Sequence, residues 1–307
     1  MESIVLNTGS SLKQVLKGRI AVGFLHFFAA LPFPMAQAFG RSIGRLSYRL
    51  NTKDVRFARI NLKTCYPQWQ DKKVEEFLKK TMQQSGMLAA ETAYVWLNEP
   101  KHVLQRIGRV NGEQIMKSAV DAGQGVIVIL PHLGNWEMLN AYILNKYPGS
   151  AMYTPARLAA VNEIMVSGRE RTGLKLEEAS AKGVMGLFKK LKKGETLFIL
   201  PDQEPDFKGG EFASFFDTPA LTMTLISKLA HKSQCRLVFA YALRSECHDS
   251  FDIQFLSGDP EIANEDMLKA TFHLNQMIEL AVKTCPEQYI WTYKRFKTRP
   301  EGLPSIY

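Results

Sequence analysis

Thiol and disulfide chemistry have little to work with in this sequence. Its four cysteines, Cys65, Cys235, Cys247 and Cys285, form no CxxC pair among 307 residues. That excludes the usual zinc spacings and a dense disulfide framework, and leaves ordinary reduced thiols facing the cytosol. Several catalytic signatures are also missing. There is no GxSxG elbow, no HExxH and no Walker A motif, and Gly123-Gln124-Gly125 precedes a strand rather than opening a helix. No internal repeat or low-complexity segment breaks the chain. Long hydrophobic runs are absent too. IAVGFLHFFAAL, between Arg19 and Pro32, has about twelve residues, short of the ~20 needed to span a bilayer, and PFP follows it where a signal peptide would carry small residues.

Acidic residues are scarce at the N-terminus. Residues 1–60 hold nine Lys or Arg against Glu2 and Asp54, an excess of seven within a net charge of +9. A basic block of this kind attracts an anionic partner: a membrane surface, nucleic acid or an acidic protein. No nucleic-acid-binding motif accompanies the charge, so nucleic acid is set aside. Three readings fit the apolar run: a buried core helix, an interfacial helix, or a spanning helix extended back through Leu12–Leu16. Lys17, Arg19 and the aromatic cluster Phe24, Phe27, Phe28 and Phe33 favour a membrane seat, monotopic or single-span, with its flanks on the cytoplasmic side.

Residues 10–97 read as helical, interrupted at PFP and at Cys65-Tyr66-Pro67. Beyond about 103 the texture changes. Strands are predicted at 125–130, 151–154, 174–177, 196–200, 236–243 and 251–257. Helices are predicted at 112–122, 135–146, 159–172, 183–193, 220–231 and 264–284. Strands alternating with helices imply an α/β fold with a mostly parallel central sheet flanked by helices. In such sheets the active site lies at the carboxyl ends of the strands.

One strand end draws attention. The apolar run Val126–Leu130 leads into PHLGNWE. His132 falls just past the strand, Gly134 permits a tight turn, and Asn135 suits the N-cap of the next helix. Glu137 then sits in the first helical turn, where the helix dipole keeps a carboxylate ionised. Such a carboxylate can fix the tautomer of His132 and stabilise the imidazolium, the role of the acid in a serine-protease triad. With no protein nucleophile beside it, the base implies that a substrate hydroxyl attacks, in acyl or phosphoryl transfer. Taken alone the spacing is weak, and an incidental loop histidine reads as well.

The wider pattern is specific. PHLGNWE resembles the H-x4-D/E motif of glycerolipid acyltransferases, and the chain resembles more closely the late acyltransferases of lipid A biosynthesis, the lauroyl/myristoyl transferases. The resemblance runs through RINLKTCYP at 59–67, MYTP at 152–155, GRERTG at 168–173, LKKGETLFILPDQEP at 191–205, GGEFASFFDTPA at 209–220 and YIWTYKRFKTRPEG at 289–302. It implies transfer of an acyl chain from acyl carrier protein to a hydroxyl of a lipid A precursor at the cytoplasmic face of an inner membrane, with His132 as general base and Glu137 orienting it. The basic block and the apolar run predict a membrane-anchoring segment over 1–34, which leaves an acyltransferase domain over 35–307, helical to 100 and α/β over 101–307. No cofactor or metal is implied. The rivals are transfer to another glycolipid or lysophospholipid, and a non-catalytic membrane-surface binding module.

Other residues carry weaker expectations. Arg169 and Arg171 suit the acceptor's phosphates, or are solvated residues at a helix end. Asp202, in Pro201-Asp202-Gln203 at another strand end, would organise the loops around the dyad or hold an arginine such as Arg169. Phe212, Phe215 and Phe216 line an acyl groove or simply pack. The clusters Lys189, Lys190, Lys192, Lys193 and Lys294, Arg295, Lys297, Arg299 attract carrier protein and anionic lipid, or face solvent. His26, His102, His231, His248 and His273 are read as structural.

Overall fold

The computed structural model describes residues 12–246 and 249–307. Cys247, His248 and the first eleven residues of the expected anchor lie outside them. Four helices come first: α1 (Leu12–Ala30), α2 (Phe33–Arg49), α3 (Lys53–Cys65) and α4 (Asp71–Leu97). Pro32 stands just before α2 with φ −52°, a backbone angle that the ring fixes and that a helix start accepts. The break between α2 and α3, at Leu50–Thr52, was not expected from the sequence.

Helices α2 and α4 cross with their backbones in contact. A Cβ added to Gly86 would fall 2.0 Å from the carbonyl oxygen of Gly40, and one added to Gly44 would fall 2.1 Å from that of Met82. Gly40 and Gly44 are one turn apart, so they present a smooth strip to α4, as small residues do at close helix crossings. The opposite face of α2 carries the exposed row Met35, Phe39, Ile43, Leu46 and Leu50.

After a short helix, α5 (Pro100–Leu104), the α/β core begins. Its strands are β1 (Ile107–Asn111), β2 (Val126–Ile129), β3 (Gly149–Tyr153), β4 (Leu174–Glu178), β5 (Thr196–Ile199), β8 (Arg236–Arg244) and β9 (Phe251–Ser257), in the order β1-β9-β8-β2-β5-β3-β4. From β8 to β4 all neighbours are parallel, and β9 turns antiparallel to β8. The six strands read from sequence are all present. Strand β1 was missed because it is short, half-exposed and contains Gly108.

The helices of the core are α6 (Glu113–Asp121), α7 (Trp136–Leu144), α8 (Ala159–Arg171), α9 (Ala181–Lys192), α10 (Leu225–Ser233) and α11 (Met267–Thr284). Helix α10 starts later than the expected 220. Ala220 lies instead in a hairpin, β6 (Gly210–Phe215) with β7 (Thr218–Met223), joined by Phe216 and Asp217 at φ 48° and 59°. Two consecutive left-handed residues make the turn that matches strand twist. The β-branched Thr218 and Thr222 suit the strand better than a helix start.

Alternate residues of β2 enter different cores. Ile127 and Ile129 pack with the hairpin and α10, while Val126 and Val128 pack with α7. Both faces are covered, so the strand reads as an unbroken apolar run. No helix among the described residues is long and apolar enough to cross a membrane, which removes a single span from the two membrane readings for the helices described.

The glycine crossing yields a test. Gly86→Ala should destabilise the fold by about 1–3 kcal/mol through overpacking. Gly23→Ala, in α1 where an added Cβ meets nothing within 4 Å, should be neutral or stabilising by up to ~1 kcal/mol. Urea unfolding of the two variants should order them so, and equal midpoints would contradict the crossing.

Candidate active site

Parallel pairing sets the site. Ile129 of β2 lies opposite Ile199 of β5. Three residues beyond each come His132 and Asp202, so equal spacers carry both side chains past the same end of the sheet. The chain then leaves β2 towards the face covered by α7, and leaves β5 towards the face covered by the hairpin and α10. Loops that diverge at strand carboxyl ends leave room for a ligand.

Asp202 holds His132 at two points. Its Oδ1 lies 2.6 Å from His132 Nδ1, and its Oδ2 accepts the His132 backbone N–H at 2.8 Å. The side-chain amide nitrogen of Gln203 lies 3.3 Å from Nε2. An amide nitrogen only donates, so Nε2 is the accepting nitrogen and Nδ1 carries the proton towards Asp202. Trp136 packs edge-to-face on the imidazole with centroids 4.7 Å apart. Asp202 is fully buried. Burial alone would raise its pKa, yet the electrostatic pull of the His132 imidazole, its ring N–H and backbone N–H, and the charge of Arg295 outweigh it, and the carboxyl is held below its ordinary value. A depressed carboxylate stabilises the fold above about pH 4 and loses that contribution as pH falls through the folded value. Next to it lies Tyr289, whose hydroxyl pKa is pushed well up by burial and then by the charge of Asp202.

Glu137 is placed differently from expectation. Its carboxylate accepts from Arg169, with Nη2 at 2.5 Å from Oε1 and Nε at 3.2 Å from both oxygens. Asp202, rather than Glu137, therefore sits at the Nδ1 of His132. The reason is local: Glu137 starts α7, and the last turn of α8 delivers Arg169 directly to it. Gly168 lets α8 lie close against the end of α4, since a Cβ there would fall 2.7 Å from the carbonyl oxygen of Trp96. The Arg169 guanidinium also stands 5.9 Å from the Trp96 ring. Arg169 thus holds Glu137, not Asp202. Arg171 lies exposed in the same turn and joins neither carboxylate.

The connecting loop is clamped from behind. Gly134 has φ 64°, and a Cβ there would fall 1.9 Å from the carbonyl oxygen of Ala242. Its N–H donates to Gln288, the Asn135 N–H to Ala242, and the Ile290 N–H to the carbonyl of His132. Asn135 caps α7 as expected, accepting from Met138 at 2.9 Å, and donates its side-chain amide to the buried Glu91. Glu91 and Arg244 went unremarked in the sequence. Their signal was a charged residue within an apolar run, Glu91 in MLAAETAYV, or closing one, Arg244 in LVFAYALR.

Several candidates lie away from the dyad's chemistry. Phe215 and Phe216 are buried in the main core, while Phe212 packs its edge on the exposed Phe207. Arg295 belongs to no surface cluster: it is buried and donates to the carbonyl of Leu221, to Thr222 and to Asn275. Arg299 likewise turns inward to the carbonyl of Pro219. Lys190 bonds Glu177 and Ser150. Asn61, in the first block of the resemblance, donates to the carbonyls of Trp291 and Tyr293 in the last. His273 is paired with Asp259, at 2.8 Å. Among the described residues no group of three or more His, Cys, Asp or Glu is arranged to hold a metal ion.

Comparison with known proteins agrees with the pattern of blocks. The profile of the family described as bacterial lipid A biosynthesis acyltransferase matches residues 10–298. The chain is 28% identical over 291 residues to a lipid A biosynthesis palmitoleoyltransferase of Escherichia coli (strain K12), covering 93% of this chain and 92% of that protein. It is 26% identical over 289 residues to the lipid A biosynthesis lauroyltransferase of the same organism, covering 94% of each. To the lipid A biosynthesis myristoyltransferase it is 24% identical over 263 residues, covering 85% of this chain and 80% of that one.

The double grip on His132 predicts what an amide would do in place of Asp202. In Asp202→Asn the side-chain oxygen must still accept the His132 backbone N–H, so the NH₂ faces Nδ1. That arrangement forces the ring proton onto Nε2, the wrong tautomer for a base. In ¹⁵N-labelled protein the two ring nitrogens of His132 should exchange protonated and unprotonated shifts between wild type and variant. Unchanged shifts would show that Asp202 does not set the tautomer.

Proposed function

The chain belongs to the bacterial lipid A biosynthesis acyltransferases, and we propose that it moves a fatty acyl chain from acyl carrier protein to a hydroxyl of a lipid A precursor, with His132 as general base. The observation that carries this reading is the accepting Nε2 of His132. It is backed by a buried carboxylate on Nδ1, and its described partner is the Gln203 amide rather than a serine or cysteine. A base without a protein nucleophile activates a hydroxyl that comes with the substrate.

The acceptor hydroxyl takes the place of the Gln203 amide at Nε2. Its oxygen attacks the thioester carbonyl carbon while its proton passes to Nε2. The imidazolium is stabilised by the ionised Asp202. The tetrahedral oxyanion collapses, the carbon–sulfur bond breaks, and the proton on Nε2 returns to the departing sulfur. Glu137 and Arg169 form the adjoining wall. Arg169 uses Nε and Nη2 on Glu137, and its role is to fix that wall and place positive charge beside the acceptor's phosphates. Arg171, exposed one turn-end further on, adds to that positive field.

We place the enzyme on the cytoplasmic face of the inner membrane, seated by α1 and α2. On α1 the residues Val15, Leu16, Ile20, Phe24 and Phe27 are exposed, and the row from Met35 to Leu50 continues the apolar surface along α2. Phe27 and Phe39 join the two rows, with ring centroids 5.8 Å apart. Exposed cations, among them Lys13, Lys17, Arg19, Arg45 and Arg49, border them. An apolar row edged with cations suits a helix lying in the headgroup region. This seat extends the expected anchor of residues 1–34 to residue 50.

Two measurements bear on the reading. His132→Ala should keep the fold and lower transfer of a labelled acyl group from carrier protein to lipid A precursor by about 10²–10⁴-fold. Transfer at the wild-type rate would sink the mechanism. Separately, Phe39→Asp with Ile43→Asp should abolish flotation with vesicles containing anionic lipid, whereas Leu280→Asp, on the exposed side of α11, should float normally. Flotation of the double variant at the wild-type level would place the membrane seat elsewhere.

A further inference from the structure

We propose that the buried ion pair Glu91–Arg244 is a positioning element that ties the catalytic loop to helix α2. Both side chains are out of solvent, at 0% and 1% exposure. Arg244 donates Nε to Oε1 of Glu91 and Nη2 to Oε2, each at 2.6 Å. Two further donors complete the carboxylate: the Gln37 amide of α2 on Oε1 at 2.7 Å, and the Asn135 amide on Oε2 at 3.1 Å. Four donors from three separate segments thus converge on one charge.

Two routes run from this charge to the loop between His132 and Glu137. The direct one is the Asn135 side chain. The second passes through Arg244. Its backbone N–H and its Nη1 both donate to Oε1 of Gln288, at 3.0 and 3.1 Å, and the Gln288 carbonyl accepts the Gly134 N–H at 3.0 Å. Asp202 fixes the front of the loop at His132, and Glu91 fixes its back at residues 134 and 135. On the far side Gln37 lies on α2, whose outer face is the apolar row proposed to sit in the membrane. One carboxylate therefore lies between the membrane helix and the catalytic histidine.

Stability alone gives weak reason for a charge here, because an apolar pair of similar volume commonly serves a core as well or better. What an apolar pair cannot supply is directed acceptors for Asn135 and Gln37. That difference separates a positioning role from a structural one.

The inference rests on the reaction proposed above, and its test is arranged to stand apart from it. Glu91→Leu with Arg244→Met removes both charges together. The expected protein still folds, its midpoint lowered only by the Gln37 and Asn135 amides left without an acceptor, yet its kcat falls by about 10- to 100-fold, as misplacement of a catalytic group by ~1 Å does. The KM values for donor and acceptor should change less than two-fold. The proton signal of the His132 Nδ1–H, sharp in the wild type if Asp202 holds it, should broaden although Asp202 is intact. A stable double variant with wild-type kcat and a sharp proton signal overturns the proposal. Gln37→Leu is the milder variant, since it deletes the α2 donor and leaves the ion pair. It should lower kcat on lipid vesicles several-fold at unchanged KM and with only a small fall in unfolding midpoint, and wild-type kcat there overturns the link to α2, whether or not the double variant folds. Wild-type protein that transfers no acyl group would sink the reaction, while the proton signal still decides the positioning.

Discussion

The negative charge of Glu91 is the constraint on which much of the molecule turns. A carboxylate without solvent must be met by donors, and these come from α2, from β8 and from the cap of α7. Arg244 in turn reaches Gln84 and Gln288. Removing one partner of such a pair costs about 3–5 kcal/mol, because the other is left charged and buried. The N-terminal helices are therefore bound to the α/β core through a polar centre as well as through apolar packing, and the loop bearing His132 is built against that centre.

The two carboxylates near His132 divide their work by position in the sheet and helices. Asp202 stands three residues beyond the strand that neighbours β2 and shares the spacing of His132, so it meets the imidazole side-on and also takes the backbone N–H. Glu137 stands on the helix after the loop, and the neighbouring helix α8 meets it with Arg169. Both acids end up paired, each with a different partner. The order along the chain, histidine then glutamate, says nothing of which acid the ring faces. The sheet decides that.

Much of this was legible in the chain. The six principal strands followed from apolar runs, and the placing of His132 and Asp202 at strand carboxyl ends followed from where those runs stop. The Asn135 cap followed from residue type. The pairing of His132 with Asp202 was not legible, because it needs the adjacency of β2 and β5, which are far apart in sequence, and no local pattern reports strand order. Glu91 and Arg244 were hidden for a similar reason: each is a lone charge in an apolar stretch, and only the fold brings them together. Likewise Arg295 read as part of a basic surface run, although its guanidinium turns inward to the carbonyl of Leu221.

The equal three-residue spacers after Ile129 and Ile199 set a rule about length. Each residue of extended chain advances ~3.3 Å, which exceeds the whole margin between a good hydrogen bond and none. One residue gained or lost in either spacer moves the carboxylate out of reach of the ring, whatever the residue is. The segments after β3 and β4 carry no such matched pair. Within this architecture substitution and loop growth can therefore proceed unevenly: the joints beyond β2 and β5 act as fixed rulers, while the joints elsewhere on the same rim are free to change their length.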